Sequence, residues 1–319
     1  MAASAGLLAL AGAATAQDYP SRPITLINPN APGGYVDVVA RRIALPMQAI
    51  MKQPVVVSNR PGANGATGAN AVAIAPPDGY TLLISTPSFP AVPAIDELYG
   101  RSPAYTLSQF VPIAQLNADP AILLVHPSLP VTTVKQFVAL AKARPADVII
   151  TSSGAYGATH LPMAMLEQAA GIRMRHIPTT GGGPAMTNTL GGHATAIASA
   201  PSVAAPHVKS GKIRAVAQWG AKRMALFPDL PTFRESGVDI EFTLWSALYA
   251  PAKTPPAAIG VIQEAVRQSV QDPGFRTAMN NANSTVAYLD GPQFHAAWER
   301  EVAKIQSTVR FIGKVGGAN

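Results

Sequence analysis

Two rhythms of apolar and polar positions alternate along this chain. Short apolar runs, "ITLIN" (24–28), "VVVS" (55–58) and "YTLLIS" (80–85), have the length of buried strands. After the first, Val36, Val39, Ile43, Met47 and Ile50 recur at helical spacing and predict a helix over 35–51, with a kink expected at Pro46. The second run leads through the glycine-rich "RPGANGATGANAVA" into a short helix. The alternation resumes with strands over 121–125, 147–153, 174–178, 193–199 and 213–219. Helices are predicted between them over 133–144, over "LPMAMLEQAA", from "GGGPAMTNTL" and over "VAAPHVKSG". Two helices fill the tail, over 256–271 and 292–310, the second with Phe294, Trp298, Val302, Ile305 and Val309 along one face.

Strand–helix alternation of this kind implies an α/β fold with mostly parallel sheets covered by helices on both faces. "NADPAILLVHPSLP" opens a second series near 118–126, and "EFTLWSALYAPAKTPP" leaves it near 240–250. The expected organisation is therefore discontinuous. Residues 17–120 and 243–319 form one domain, residues 121–242 the other, and the C-terminal helices close the first.

Composition narrows the function. Hydrophobic residues make up 48% of the 319 positions, enough for substantial cores, and the 13% of charged residues argues against disorder. The formal charge of +7 raises the question of nucleic acid. Its basic residues are scattered, however, without aromatic interleaving or a recognisable binding module, so no nucleic-acid partner is expected. No cysteine is present, which excludes disulfides, thiolate metal sites and a cysteine nucleophile. Residues 3–14 form an apolar small-residue run ending in "ATA", which reads as a secretory leader cleaved after Ala16, although residues 1–17 carry no Lys or Arg.

Candidate chemistry is sparse. The six histidines show no metal-ligand spacing, there is neither a GxSxG elbow nor a phosphate loop, and Ser152 and Ser153 have no base partner legible in the sequence. No cofactor and no enzymatic activity are expected. What recurs is a polar, glycine-rich turn at the end of a predicted strand: "NAPGGYVD" (30–37), "STPS" (85–88), "SSGAYGATH" (152–160) and "TTGGGPA" (179–185). Ligands of open α/β sheets bind outside the carboxyl ends of the strands, and successive N–H groups of such turns make an anion nest.

These stretches, with "YPSRPITLINPNAPGGYVDVVARRIA", "PVVVSNRPGANGATGANAVAIAPPDGYTLLIS", "HIPTTGGGPAMTNTLGGHATA", "LFPDLPTFRESG" and "WSALYAPAKTPP", resemble the tripartite tricarboxylate transporter substrate-binding receptors, the Bug proteins, from about Tyr19 to the C-terminal helices. The resemblance implies a two-domain periplasmic-binding-protein fold of type II with two crossovers. Such a protein captures a small carboxylate in the interdomain cleft and delivers it to integral-membrane permease subunits, with a monomer as the default.

Carried over by position, the ligand-binding residues on the first side are Asn30, Ala31, Pro32, Gly33, Gly34, Tyr35, Val36 and Asp37, with Ser85 and Thr86. On the facing side they are Ser152, Ser153, Gly154, Ala155, Gly157, Thr159 and His160, then Thr179, Thr180, Gly181 and Gly182, then Ala198 and Ser199. Asp37 is expected to cap backbone N–H groups, and Tyr35 either to stack on an aromatic acid or to cover the surface. Thr179-Thr180 and Ala198 stand where relatives often carry a lysine and an aspartate, which argues against an amino-acid ligand because its ammonium would lack an acceptor. Aliphatic dicarboxylates and aromatic carboxylates both remain open. So do a sensor module and an exported α/β enzyme as alternatives to a transport receptor.

Overall fold

The computed structural model describes residues 19–315, and the expected leader lies outside them. The first half runs β1 (Ile24–Asn28), α1 (Tyr35–Met51), β2 (Val55–Asn59), α2 (Ala66–Ala73), β3 (Thr81–Ser85), α3 (Ala91–Leu98) and β4 (Phe110–Pro120). A second series follows: β5 (Ile122–Val125), α4 (Val134–Ala143), β6 (Ile149–Ser152), α5 (Leu161–Ala170), β7 (Arg175–Pro178), α6 (Gly182–Leu190), β8 (Ala196–Ser199), α7 (Pro201–Lys209) and β9 (Arg214–Gln218). The chain then returns through β10 (Thr243–Pro251) to α8 (Pro256–Ser269), α9 (Pro273–Asn281), β11 (Val286–Leu289) and α10 (Gly291–Ile312). Helix α1 continues through Pro46 as one element.

The strands form two sheets, in the orders β11-β4-β10-β3-β1-β2 and β7-β6-β8-β5-β9. Both are mixed, which corrects the expectation of mostly parallel sheets. β1 runs parallel to β2 and β3, and β6 to β7 and β8. By contrast β10 is antiparallel to β3 and β4, β11 to β4, and β5 to β8 and β9. The reason lies in the crossovers. A strand that leaves one sheet at its carboxyl edge enters the other from that sheet's carboxyl edge, and so it opposes the strands already there.

Register fixes what the crossovers bring together. Ser85 at the end of β3 lies opposite Ala247 in the middle of β10, and Asn117 near the end of β4 lies opposite Ser246. In the second sheet the first residue of β5, Ile122, pairs with the last residues of β8 and β9, Ser199 and Gln218. The carboxyl ends of β1, β2 and β3 therefore share one edge with the crossovers, and those of β6, β7, β8 and β9 share the facing edge. Backbone bonds tie the two crossing peptides to Trp219: its N–H donates to Ala121 (2.8 Å) and its carbonyl accepts from Phe242 (2.9 Å).

Helix α10 does not simply close the first domain, as the sequence had suggested. Phe294 and Trp298 sit in an aromatic core with Phe89, Tyr105, Trp245 and Tyr249, whereas Ile305 and Val309 belong to the core of the second sheet with Phe137, Leu161 and Trp219. Helix α3 divides its apolar residues the same way, Val92 to the first core and Ala91, Ala94 and Ile95 to the second. The sequence reading also lacked β4, α3, β10, α9 and β11; β4 was hidden because Gln115, Asn117 and Asp119 make it look polar although all three are buried.

Close backbone approach explains one glycine. A Cβ on Gly68 would lie 2.8 Å from both the Arg60 carbonyl and the Pro29 Cα, whereas one on Gly260, exposed in α8, would meet nothing within 4 Å. Gly68→Ala is expected to destabilise the protein by about 1–3 kcal/mol through overpacking. Gly260→Ala should stabilise it by about 0.4–1 kcal/mol by restricting the unfolded chain. Urea denaturation followed by tryptophan fluorescence checks both, and shifts of equal sign would refute the packing assignment.

Candidate binding site between the two sheets

The first turn is built around two buried polar residues. Asn28 ends β1, and its side-chain oxygen accepts the Asn30 N–H at 3.0 Å. Asp37, in the first turn of α1, accepts the Gly33 N–H (2.9 Å), Arg41 Nε (2.9 Å) and Asn59 Nδ2 (2.8 Å). Burial alone would raise its pKa, but the bonds from Arg41 and Gly33 outweigh that and hold it at about 2. Asp37 is therefore an ionised brace that shapes the turn, with its oxygens already engaged. The Val36 side chain belongs to the core under α1, a correction to its place among ligand contacts, and only its backbone faces the turn's chemistry.

Tyr35 is the larger correction. Its hydroxyl lies 2.6 Å from the Leu244 carbonyl and 2.9 Å from Asp119 Oδ2, and it accepts from Asn117 Nδ2 at 2.5 Å. The half-buried ring packs against the cores of both sheets. Burial, then the neighbouring Asp119 charge, pushes the phenol well above its ordinary pKa, so it stays protonated. Its hydroxyl is therefore not free: it pins α1 to both crossover strands. Asp119 in turn accepts from Ser284 Oγ (2.5 Å) and the Thr285 N–H (2.6 Å).

On the facing edge, Thr159 Oγ1 accepts the Ser153 N–H (2.8 Å) and donates to Ser153 Oγ (3.1 Å), which leaves the Ser153 hydroxyl proton free. Thr179 Oγ1 is occupied by the Ser152 and Gly181 carbonyls, both at 2.8 Å, while Thr180 is exposed. A Cβ on Gly182 or Gly183 would meet nothing within 4 Å, and the same holds for Gly33 on the first edge. Ser85 and Thr86 lie buried at the end of β3, and Thr86 Oγ1 is bonded to Ser88 Oγ at 2.9 Å. Ala198 is displaced from the expected set: it packs in the second sheet's core, and its neighbour Ser199 ends the strand.

His160 and His176 stack with ring centres 3.8 Å apart. His160 Nδ1 accepts the Tyr156 N–H, so its Nε2 carries the proton; burial and then the neighbouring His176 lower its pKa to about 3. Burial lowers that of His176 to about 4. Both rings are neutral at pH 7. No base partner for Ser152 is legible in the sequence, yet His176 Nε2 lies 2.7 Å from its hydroxyl: the parallel register of β6 and β7 pairs His176 with Ile150, two residues before Ser152, and the imidazole reaches it diagonally. Ser152 is fully buried, its hydroxyl donates to the Gly154 carbonyl at 2.8 Å, and among the described residues no carboxylate orients His176. The pair braces the turn.

One pattern joins both edges. Six helices, α1, α2, α3, α5, α6 and α7, begin where the strands end at the crossover edges, and none has a side-chain cap. Elsewhere α4, α9 and α10 are capped by Thr133, Asp272 and Asp290, and only α8, opening on Pro255-Pro256, lacks a cap. Uncapped N-termini leave backbone N–H groups without partners and a partial positive charge. Residues 30–37, 85–90, 152–160 and 179–183 contain no Lys or Arg. Apart from Arg60, which opens the turn before α2, the two crossover edges thus offer an anion neutral, fixed donors. Among the described residues no group of three His, Asp or Glu is placed to hold a metal, and no helix is long and apolar enough to cross a membrane.

With this geometry established, the similarities become informative. A family model described as tripartite tricarboxylate transporter family receptor matches residues 39–314. BugT of Bordetella pertussis is 33% identical over 307 residues, covering 95% of this chain and 93% of its own length. Among solved structures, MatC from Rhodopseudomonas palustris with bound malate superposes with a TM-score of 0.81 at 25% identity, over 91% of this chain and all of its own. An R. palustris protein solved with adipate gives 0.83 at 27% identity, over 93% of this chain and 99% of its own.

Two outcomes test the local chemistry. Tyr35→Phe should cost about 1–3 kcal/mol, because it leaves Asn117 and Leu244 short of a buried partner; an unchanged denaturation midpoint would refute the pin. The buried histidines set a pH dependence. Their folded pKa values lie below the unfolded value near 6.5, so the unfolded chain takes up protons first and stability falls as the pH drops from about 6.5 towards 4. Between pH 7 and 5, His160 should account for up to about 2 kcal/mol of that loss. Urea midpoints for the parent and His160→Gln should show a shallower pH slope in the variant.

Proposed function

The chain belongs to the tripartite tricarboxylate transporter receptor family, and from that premise we propose that it captures a small aliphatic dicarboxylate in the cleft between its sheets. In this reading the protein works in the periplasm and hands its ligand to membrane permease subunits. The observation that carries the proposal is the convergence of uncapped helix N-termini on both crossover edges, with glycines at Gly33-Gly34 and Gly181-Gly182-Gly183 leaving room beside them.

Two facing donor sets suit an acid with a carboxylate at each end. The first is the opening of α1 with the backbone N–H groups of Ala31, Gly34, Tyr35 and Val36, the turn being shaped by Pro32 and flanked by Asn30 and by Ser85 and Thr86. The second comprises Ser153, Gly154 and His160 with Thr180, Gly181 and Gly182, shaped from behind by Ser152, Gly157, Thr159 and Thr179 and flanked by Ser199. The relatives' ligands, malate for MatC and adipate for the R. palustris protein, are both dicarboxylates. Both being aliphatic, they favour an aliphatic diacid over an aromatic one, and the Tyr35 hydroxyl, engaged at the crossovers, is not available to either. An amino acid is disfavoured because Asp37 and Asp119 are engaged by internal donors and neither is left to accept an ammonium. The closing motion would pivot at the two crossovers, with 17–120 and 243–319 moving against 121–242.

The test is a thermal-shift screen and calorimetry of the mature chain against malate, adipate, benzoate, citrate, aspartate and glutamate. Binding at one hundred times Kd should add about 2.7 kcal/mol of apparent stability. A response to the aliphatic diacids and none to the amino acids supports the reading; tight binding of aspartate or glutamate overturns it. Gly34 has an ordinary extended backbone, φ −77° and ψ 172°, and a Cβ there would meet only the Ala31 carbonyl at 3.4 Å. Gly34→Val should therefore fold normally yet lose binding, and normal binding by this variant would refute the cradle at α1.

A further inference from the structure

The entrance to α2 carries an unusual run of backbone. Four consecutive residues, Gly62, Ala63, Asn64 and Gly65, have φ angles of 135°, 44°, 60° and 93°. For glycine this costs little; Ala63 holds a left-handed conformation that is unfavourable for a residue with a Cβ, and Asn64 one that asparagine adopts more readily than most but less readily than glycine. Such strain persists only where the surroundings enforce it, and it gathers at ligand clamps and switches. Here the enforcement is visible: the start of α2 is pressed onto Pro29, with Gly68 in backbone contact with it.

The strained position puts a side chain across the cleft. Asn64 Nδ2 donates to the Ala155 carbonyl at 2.6 Å, 91 residues away in sequence and on the loop between β6 and α5. Among the described residues this is the one hydrogen bond from the turns of the first sheet's carboxyl edge to those of the second. Its acceptor is held as firmly as its donor. Gly154 and Tyr156, on either side of Ala155, have φ of 138° and 57°. The Tyr156 N–H donates to His160, and its hydroxyl donates to the Gly313 carbonyl (2.7 Å) while accepting the Val315 N–H (3.1 Å).

We propose that Asn64 is a closure latch, a side chain that joins the two halves of the protein across the cleft and lengthens the residence of the bound acid. Glycine would satisfy the backbone at position 64 better than asparagine does, so what asparagine adds there is the amide that reaches Ala155. The inference rests on the reading that the cleft closes on a ligand. It makes Asn64 a residue that governs dissociation without belonging to the anion cradle.

The chain has no native cysteine, so Gln48→Cys in α1 and Lys142→Cys in α4, both exposed, accept a pair of labels cleanly. Distance distributions between them, by single-molecule fluorescence or spin labels, are compared for the parent, Asn64→Gly and Asn64→Asp, without added acid and with malate or adipate. Asn64→Gly relieves the backbone strain, so its thermal midpoint should not fall. The expected result is a smaller closed population in both variants and a two- to tenfold faster dissociation of the diacid, the range for one lost hydrogen bond. Asn64→Asp should be affected at least as strongly, because a carboxylate would oppose the Ala155 carbonyl. Unchanged distance distributions and dissociation rates in Asn64→Gly would overturn the latch. Should neither acid bind even the parent, the capture reading fails, and the distributions without acid still decide the latch.

Discussion

The structure hangs on one buried carboxylate. Asp119 sits one residue before the end of the strand that leaves the first sheet, and donors from three separate parts of the chain converge on it: Tyr35 at the start of α1, Asn117 on β4, and Ser284 with Thr285 ahead of β11. Burial raises its pKa, and the hydrogen bonds it receives pull the other way. A carboxyl group removed from water is tolerated only when such bonds replace its hydration. The arrangement therefore over-determines where the outgoing strand, the returning strand at Leu244 and the first turn meet. From that fixed point the register of β10 and β5 follows, and with it the alignment of the strand ends around the cleft.

The cleft shows the opposite economy. Around Asp119 every donor has its acceptor; at the crossover edges six helices begin without a side-chain cap, although each such cap adds about 1 kcal/mol of stability elsewhere in proteins. The carboxylate nearest these helix starts, Asp37, is turned onto Gly33, Arg41 and Asn59. Histidines at the edge are kept neutral by burial. What remains is a set of backbone dipoles, which suits discrimination by position and shape more than by net attraction. Fixed donors of this sort need no reorganisation to meet an anion, and this offsets the modest strength of each one.

Much of this was legible in the sequence, and the failures have physical causes. Helical periodicity and short apolar runs located α1, β1, β3 and the whole alternation from β5 to β9. The turns followed from glycine and the helices behind it. Strand β4 escaped because its stripe of Gln115, Asn117 and Asp119 has the two-residue period of a strand facing water, whereas here that face is buried and hydrogen-bonded to Ala287, Tyr35, Ser284 and Thr285. Tyr35 was misread for the same reason: its partners lie 82 to 209 residues away, and nothing local announces them. Ala198 was assigned to the cleft by position in the family pattern, while strand alternation turned it into the core. The Ser152–His176 contact depended on register, which one sequence does not specify.

The divided allegiance of α10 bears on how the chain can be made. Its first turns complete the aromatic core beneath the first sheet and its last turns complete the core of the second, yet it is the final helix of the described chain. Each core lacks a wall until these residues are present. Neither half can reach its finished packing before α10 is available, so the two do not gain their full stability one ahead of the other, as they would in a chain whose domains fold independently. Truncation at the carboxyl end should consequently loosen both halves together.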